Sequence, residues 1–80
     1  MTYQDISDAI VATAQDEGMS TTIALAGPAI HRQDGLHMGI VVALNYGISF
    51  YFKDNNGRLC IRETRDLDKA LSIGLDFVYG

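Results

Sequence analysis

From Leu36 to Phe52 the chain runs through seventeen residues without a formally charged side chain, LHMGIVVALNYGISFYF, and every even-numbered position is large and apolar or aromatic. Alternation with a period of two marks half-buried β-strand. Fully extended, such a run would reach roughly 56 Å at about 3.3 Å per residue. A compact chain of this length has a radius of gyration of only about 12 Å, so the run is expected to fold back. Asn45-Tyr46-Gly47 supplies the break: a three-residue loop with glycine in the left-handed position pairs Leu44 with Ile48, Val42 with Phe50 and Ile40 with Phe52. One bent strand is the alternative reading.

The flanking segments change period. Tyr3, Ile6, Ile10, Thr13 and Ala14 share one face of a helix over Tyr3 to Glu17, with Thr2 as cap, Asp5 at the third helical position and Gly18 as terminator. In STTIALA, Thr21, Ile23 and Leu25 alternate with Thr22, Ala24 and Ala26, which predicts a strand that Gly27-Pro28 makes an edge strand or a bulge. A tight Asp34-Gly35 turn sets His31 opposite Met38 and Leu25 opposite Leu44, and leaves Ile30 on the small face unless one extra residue at Gly27-Pro28 changes the parity. At the next hairpin, FYFKDNNGRLCIRE, a two-residue Asn56-Gly57 turn places Phe52 opposite Ile61, and a four-residue loop places it opposite Leu59. The four-residue form also brings Lys53 against Arg58, a like-charge pair that favours the Asn-Gly turn. A three-residue loop would set Phe52 opposite Cys60 and mix the faces, which argues against it. The last segment, TRDLDKALSIGLDFVYG, begins at a Thr64 or Asp66 cap and carries Leu67, Ala70, Leu71, Gly74 and Val78 at helical spacing. Gly74 costs nearly 1 kcal/mol in helix propensity, which close approach to the sheet would offset.

The expected fold is α+β: one domain over residues 1–80, a two-layer sandwich in which an antiparallel β-meander of three to four strands carries both terminal helices on one face, in the order α-β-β-β-β-α. The large face comprises Ile23, Leu25, Met38, Ile40, Val42, Leu44, Ile48, Phe50, Phe52, Leu59 and Ile61. The opposite face comprises Thr22, Ala24, Ala26, His37, Gly39, Val41, Ala43, Asn45, Ser49, Tyr51, Lys53, Cys60 and Arg62. Small residues in its middle strand make a shallow, weakly polar floor. His37, Asn45, Tyr51, Lys53 and Arg62 stand around it, and tyrosine and arginine are residues enriched at binding hot spots. An open solvated face is the competing explanation.

Charge adds a second candidate surface. The net charge is −4, and residues 1–20 hold Asp5, Asp8, Asp16 and Glu17 with no lysine or arginine, whereas the remainder balances six acids with six bases. An acidic chain without a basic stripe is a poor ligand for nucleic acid. Its natural electrostatic partner is a basic protein or nucleoprotein surface. The solvated face of an ordinary helix is the simpler account of such a run.

Catalytic chemistry finds little support. His31 and His37 flank a turn with only Asp34 as a third metal ligand, and Cys60, which would need a base beside it to act as a nucleophile, neighbours Lys53 or Tyr51 in the expected register and reads as a plain strand cysteine. No metal, cofactor or enzymatic activity is expected. The lone cysteine forms no internal disulfide, and MTYQDISDAI lacks the basic start and apolar core of a secretory signal, so a reducing cytoplasm is expected. The Leu36–Phe52 run includes His37, Asn45, Ser49 and two glycines, which argues against a membrane-spanning helix. A core this small often gains stability by oligomerising, so a homodimer through the open sheet face stands beside the monomer.

With an acidic helix, an antiparallel meander and a closing helix in 80 residues, the chain resembles in general design the small phage-encoded inhibitors known as anti-CRISPR proteins. The resemblance covers the whole chain and rests on size, acidity and element order. It implies a non-enzymatic protein that docks on basic surface of a CRISPR surveillance complex in the cytoplasm of a bacterial host and blocks target DNA binding, with Asp5, Asp8, Asp16 and Glu17 as contacts. Between Ile48 and Val78, the pattern GRLCIRETRDLDKAL also resembles the sheet-then-helix part of HicB-type antitoxins, without their separate DNA-binding region. The rival reading is a homodimeric structural or antitoxin-like interaction module using the open sheet face.

Overall fold

The computed structural model describes residues 1–43 and 46–80. Helix α1 (Tyr3–Asp16) leads into strands β1 (Ser20–Ala24), β2 (Gly27–His31), β3 (His37–Ala43), β4 (Gly47–Lys53) and β5 (Leu59–Thr64), and α2 (Leu67–Tyr79) closes the chain. The strands form one antiparallel sheet in chain order, β1-β2-β3-β4-β5. The α+β meander with both helices on one face is therefore as expected, with one strand more. That strand arises because Gly27 and Pro28 begin a second strand: Ala24 pairs with Gly27 across a two-residue Leu25-Ala26 loop.

Both helix starts follow the sequence signals. The Thr2 hydroxyl accepts from the Asp5 amide at 3.1 Å and the Asp5 carboxylate accepts from the Thr2 amide at 2.8 Å, a complete capping box. Asp66 caps α2 by accepting from the Lys69 amide at 3.0 Å. At the end of α1, Gly18 takes a positive φ while its amide reaches Gln15 and the Met19 amide reaches Ala14, the paired bonds of a Schellman ending.

Packing follows from two periodicities meeting. Ile6, Ile10 and Ala14 of α1 and Ala70, Ile73, Phe77 and Val78 of α2 close on Ile30, Met38, Ile40, Ile48 and Phe50 of the sheet. Helix α1 lies over β1 to β3, and α2 lies beside α1 and reaches β5. Gly74 sits where the helices touch: a Cβ there would overlap the side chain of Ile10, so the close approach is to α1 and not to the sheet. The Tyr3 hydroxyl donates to the Arg65 carbonyl at 2.7 Å, tying the start of α1 to the start of α2. Arg32 ties the β2–β3 loop to the other end of α2, donating to the Phe77 carbonyl at 3.0 Å with its guanidinium 5.1 Å from the Phe77 ring centre. A cation at a helix C-terminus also complements the macrodipole.

Three registers differ from the expected ones, two of them because of a loop one residue longer than a tight turn. Between β2 and β3 the loop is Gln33-Asp34-Gly35, closed by the Arg32 amide on Leu36 and the Gly35 amide on Arg32, with Gly35 at φ 89°. One more residue than the tight turn reverses the parity, so Ile30 pairs with Met38 in the core and His31 pairs with His37. Between β4 and β5 the loop is Asn55-Asn56-Gly57, closed in the same way through Asp54 and Arg58, with Gly57 at φ 79°. Phe52 therefore pairs with Cys60, the register that mixing of faces argued against, and not with Ile61 or Leu59. In both loops glycine fills the third, left-handed position of a type I turn plus bulge, where a two-residue turn would need it second.

Between β3 and β4 the alternation holds and the register slides by two residues: Val42 pairs with Ile48, Ile40 with Phe50 and Met38 with Phe52. The expected partner of Ile48, Leu44, lies outside the described residues, as does Asn45. Leu36–Phe52 contains two strands and not one bent strand.

Candidate functional site

The sheet face away from the helices is uncovered. One cross-strand row on it runs Thr22, Ala29, Gly39, Tyr51, Ile61, and the adjacent row runs Ser20, His31, His37, Lys53, Leu59. Ala29, Gly39, Val41 and Tyr51 floor a shallow pocket of about 430 Å³ that Ala24 and Pro28 help to wall. The expected site residues His37, Tyr51 and Lys53 are together on this face, with His37 and Lys53 directly paired. Arg62 is not with them. It pairs with Phe50, whose side chain is in the core, so it lies on the helix side of β5. Cys60 moves with it, opposite Phe52 and away from Lys53 and Tyr51.

The exchange puts Leu59 and Ile61 on the open face, 59% and 48% exposed, where the sequence reading had them in the core. Ile23 and Leu25 are likewise outside, 92% and 110% exposed, at the β1–β2 hairpin. Ile23 is on the helix side and shares a cleft with Val11 and Gln15 of α1, which come near without covering it, and Leu25 is in the hairpin loop.

His31 and His37 stand side by side, ring centres 4.5 Å apart and edge to face, with His31 Nε2 sharing a 2.9 Å hydrogen bond with Thr22 Oγ1. Among the described residues no group of three histidine, cysteine, aspartate or glutamate side chains is arranged to hold a metal. Asp34 instead pairs with Arg32 and caps its own loop by accepting from the Leu36 amide at 3.2 Å.

The acidic surface is on α1. At about 100° per residue, Asp5, Asp8 and Asp16 fall within an arc of about 80° on the helix wheel and span roughly 16 Å along its axis. All three, and Glu17 at the C-cap, are exposed. The ion pair found among the described residues is Arg32–Asp34, so none of the four carboxylates is neutralised by a salt bridge. Asp5 is held below the ordinary aspartate pKa, chiefly by the Thr2 amide and then by the Thr2 hydroxyl, with the terminal ammonium adding a smaller pull against a slight burial cost. Asp16 and Glu17 stand at the negative end of the helix with no basic residue in its last turn. That placement opposes the macrodipole.

Sequence reasoning missed one feature. Arg58, just before β5, and Cys60 on its helix side border a cleft of about 390 Å³ lined also by Leu36, Phe52 and Phe77, and Arg62 follows Cys60 on the same side. Keeping the three-residue loop at Asn55 to Gly57 would have exposed it, because that register alone brings the even positions of β5 beside Phe50 and Phe52.

No helix among the described residues is long and apolar enough to cross a membrane. Compared with known proteins, the chain matches no family model, no curated protein and no solved structure.

Proposed function

We propose that this protein is a non-enzymatic, stoichiometric binding protein that docks its acidic helix α1 on basic surface of a protein or nucleoprotein complex, in its most specific form as an anti-CRISPR-like inhibitor. The observation that carries the reading is the un-neutralised carboxylate row Asp5, Asp8 and Asp16 with Glu17. Two of the four charges, Asp16 and Glu17, are sited against the helix dipole with no base in the last turn, a local cost that a basic partner would repay. A surface that normally receives DNA backbone offers the spaced positive charge such a row complements.

The test is target-DNA binding by a purified CRISPR surveillance complex, titrated with this protein. Inhibition saturating near one protein per site, weakening as salt rises, and lost on reversing Asp5, Asp8, Asp16 and Glu17 to lysine is the expected result. Capture of the complex that is indifferent to the four reversals would reject the acidic-helix mode.

A second reading, a homodimeric module joined through the open sheet face, draws on the exposure of Leu59 and Ile61 around Tyr51 and its small-residue floor. Light scattering at micromolar concentration separates the two. A monomer whose mass is unchanged in an Ile61→Lys variant would remove the dimer.

A further inference from the structure

We propose that the groove between β5 and α2 receives an extended acidic peptide segment of another protein, which pairs as a strand on the free edge of β5 and drops one apolar side chain into the cleft beside Cys60. This surface lies on the sheet edge next to α2, apart from the carboxylates of α1, and its occupation does not depend on theirs.

The backbone of β5 is available. It is the last strand of the sheet, and Leu59 to Glu63 are all exposed. The Asp54 amide donates to the Arg58 carbonyl at 3.2 Å, which makes Asp54–Arg58 a bonded pair. Bonded and non-bonded pairs alternate along an antiparallel ladder. Cys60 and Arg62 therefore bond inward to β4, and the amides and carbonyls of Leu59, Ile61 and Glu63 face the free edge. Proline, bulges and charged side chains blunt edge strands; β5 contains neither of the first two, and its charges are Arg62 and Glu63. Its outward-bonding positions include two large apolar residues.

The side chains define the occupant. On the helix side, Arg58, Cys60 and Arg62 follow one another at alternate positions; Arg58 and Cys60 border the cleft, whose apolar lining is Leu36, Phe52 and Phe77 and whose rim includes Lys53 and Asp54. A strand added to β5 would face Arg58 and Arg62 at the two positions flanking the one above the cleft. Cross-strand partners of opposite charge stabilise such pairing and like charges oppose it. Among the described residues neither guanidinium is in an ion pair, and the nearby Asp54 carboxylate accepts from the amides of Asn56 and Arg58 at 2.9 Å each. The complementary segment thus reads acidic, any, large apolar, any, acidic. Main-chain bonds supply affinity and the alternate side chains supply specificity, as in other strand-addition sites. A second copy pairing through its own β5 in the register centred on Cys60 would set Arg58 against Arg62, so charge disfavours that arrangement.

The experiment uses the full chain and a labelled peptide with aspartate, leucine and aspartate at alternate positions among threonines, followed by fluorescence anisotropy and amide NMR. Saturable binding is expected, with the Leu59, Ile61 and Glu63 amides shifting most. Replacing both aspartates by lysine, reversing Arg58 and Arg62 to glutamate, or N-methylating the edge-facing peptide amides should each weaken binding roughly tenfold or more, equivalent to about 1.4 kcal/mol. Both arginines are exposed, so the fold of the variant is checked by its unchanged core resonances. Absence of binding at millimolar peptide, binding indifferent to the charge reversals, or shifts confined to the open sheet face would overturn the proposal. So would self-association through β5 that excludes the peptide.

Discussion

Asp5 and Ser7, two residues apart on α1, illustrate how far a single side chain answers to its local sequence. Asp5 belongs to a capping box that TYQD spells out before any fold is known. Its carboxyl is stabilised in the charged form by Thr2, so its contribution to stability is complete above the unfolded aspartate value of about 3.9 and is lost as pH falls through the lower folded value. An Asp5→Asn variant should therefore melt below the wild type near neutral pH, with the gap closing as pH drops below about 4, as read by thermal unfolding at a series of pH values. Ser7 is different. Its place beside Tyr3 and Ala14 on the helical wheel puts it on the buried face, but nothing in ISDAI announces that its hydroxyl will be left without a partner. Ser7→Ala should stabilise the protein by about 1 kcal/mol, through helix propensity and removal of an unpaired buried group, measured as a higher urea midpoint with unchanged slope.

At the scale of elements, helix boundaries were legible and strand partners only in part. Caps and apolar stripes act within a few residues, so Thr2, Gly18 and Asp66 did what their chemistry predicts. Hairpin register depends on loop length, and one residue of loop moves every later side chain to the other face. DG and NG read equally well as a two-residue turn or as the last positions of a three-residue one, and the choice depends on which faces the neighbouring strands bury. Gly57 tests the second form. Its surroundings are open, so replacement meets only the backbone penalty of its positive φ. Gly57→Ala should cost about 1–2 kcal/mol by denaturant unfolding. Gly57→Asn should cost less, since asparagine tolerates the left-handed region. Equal losses from the two variants would mean that the loop does not use that conformation.

Across the whole molecule, the decisive contact is between the two helices. Gly74 would gain nearly 1 kcal/mol of helix propensity as alanine, yet its Cβ would overlap Ile10 in the layer above the sheet. Overpacking of a close-packed core typically costs about 1–3 kcal/mol, so Gly74→Ala should lower stability on balance. Trimming the opposing side chain should restore part of the loss, and the Gly74→Ala, Ile10→Val double-mutant cycle reads that coupling directly. The candidate surfaces also take shape only at this scale. His37, Tyr51 and Lys53 gather on the open face as their parity requires, whereas Arg62 joins Arg58 on the helix side, where a row of cations beside an apolar cleft has a different use.

The sequence by itself determined the α+β class, the extents and caps of both helices, the alternation that turns Met38, Ile40, Val42, Ile48 and Phe50 toward the core, and the excess acidity of α1. Each is a local property, fixed by periodicity, capping chemistry or charge within a single segment. Tertiary structure alone decided that Gly27-Pro28 opens a second strand, that Ile30 enters the core, and that β5 turns Leu59 and Ile61 outward and Cys60 and Arg62 toward the helices. Those outcomes depend on loop length and on where the helix layer stops covering the sheet. A run of residues read alone carries neither, because the free energy of burying a face exists only once another element lies against it.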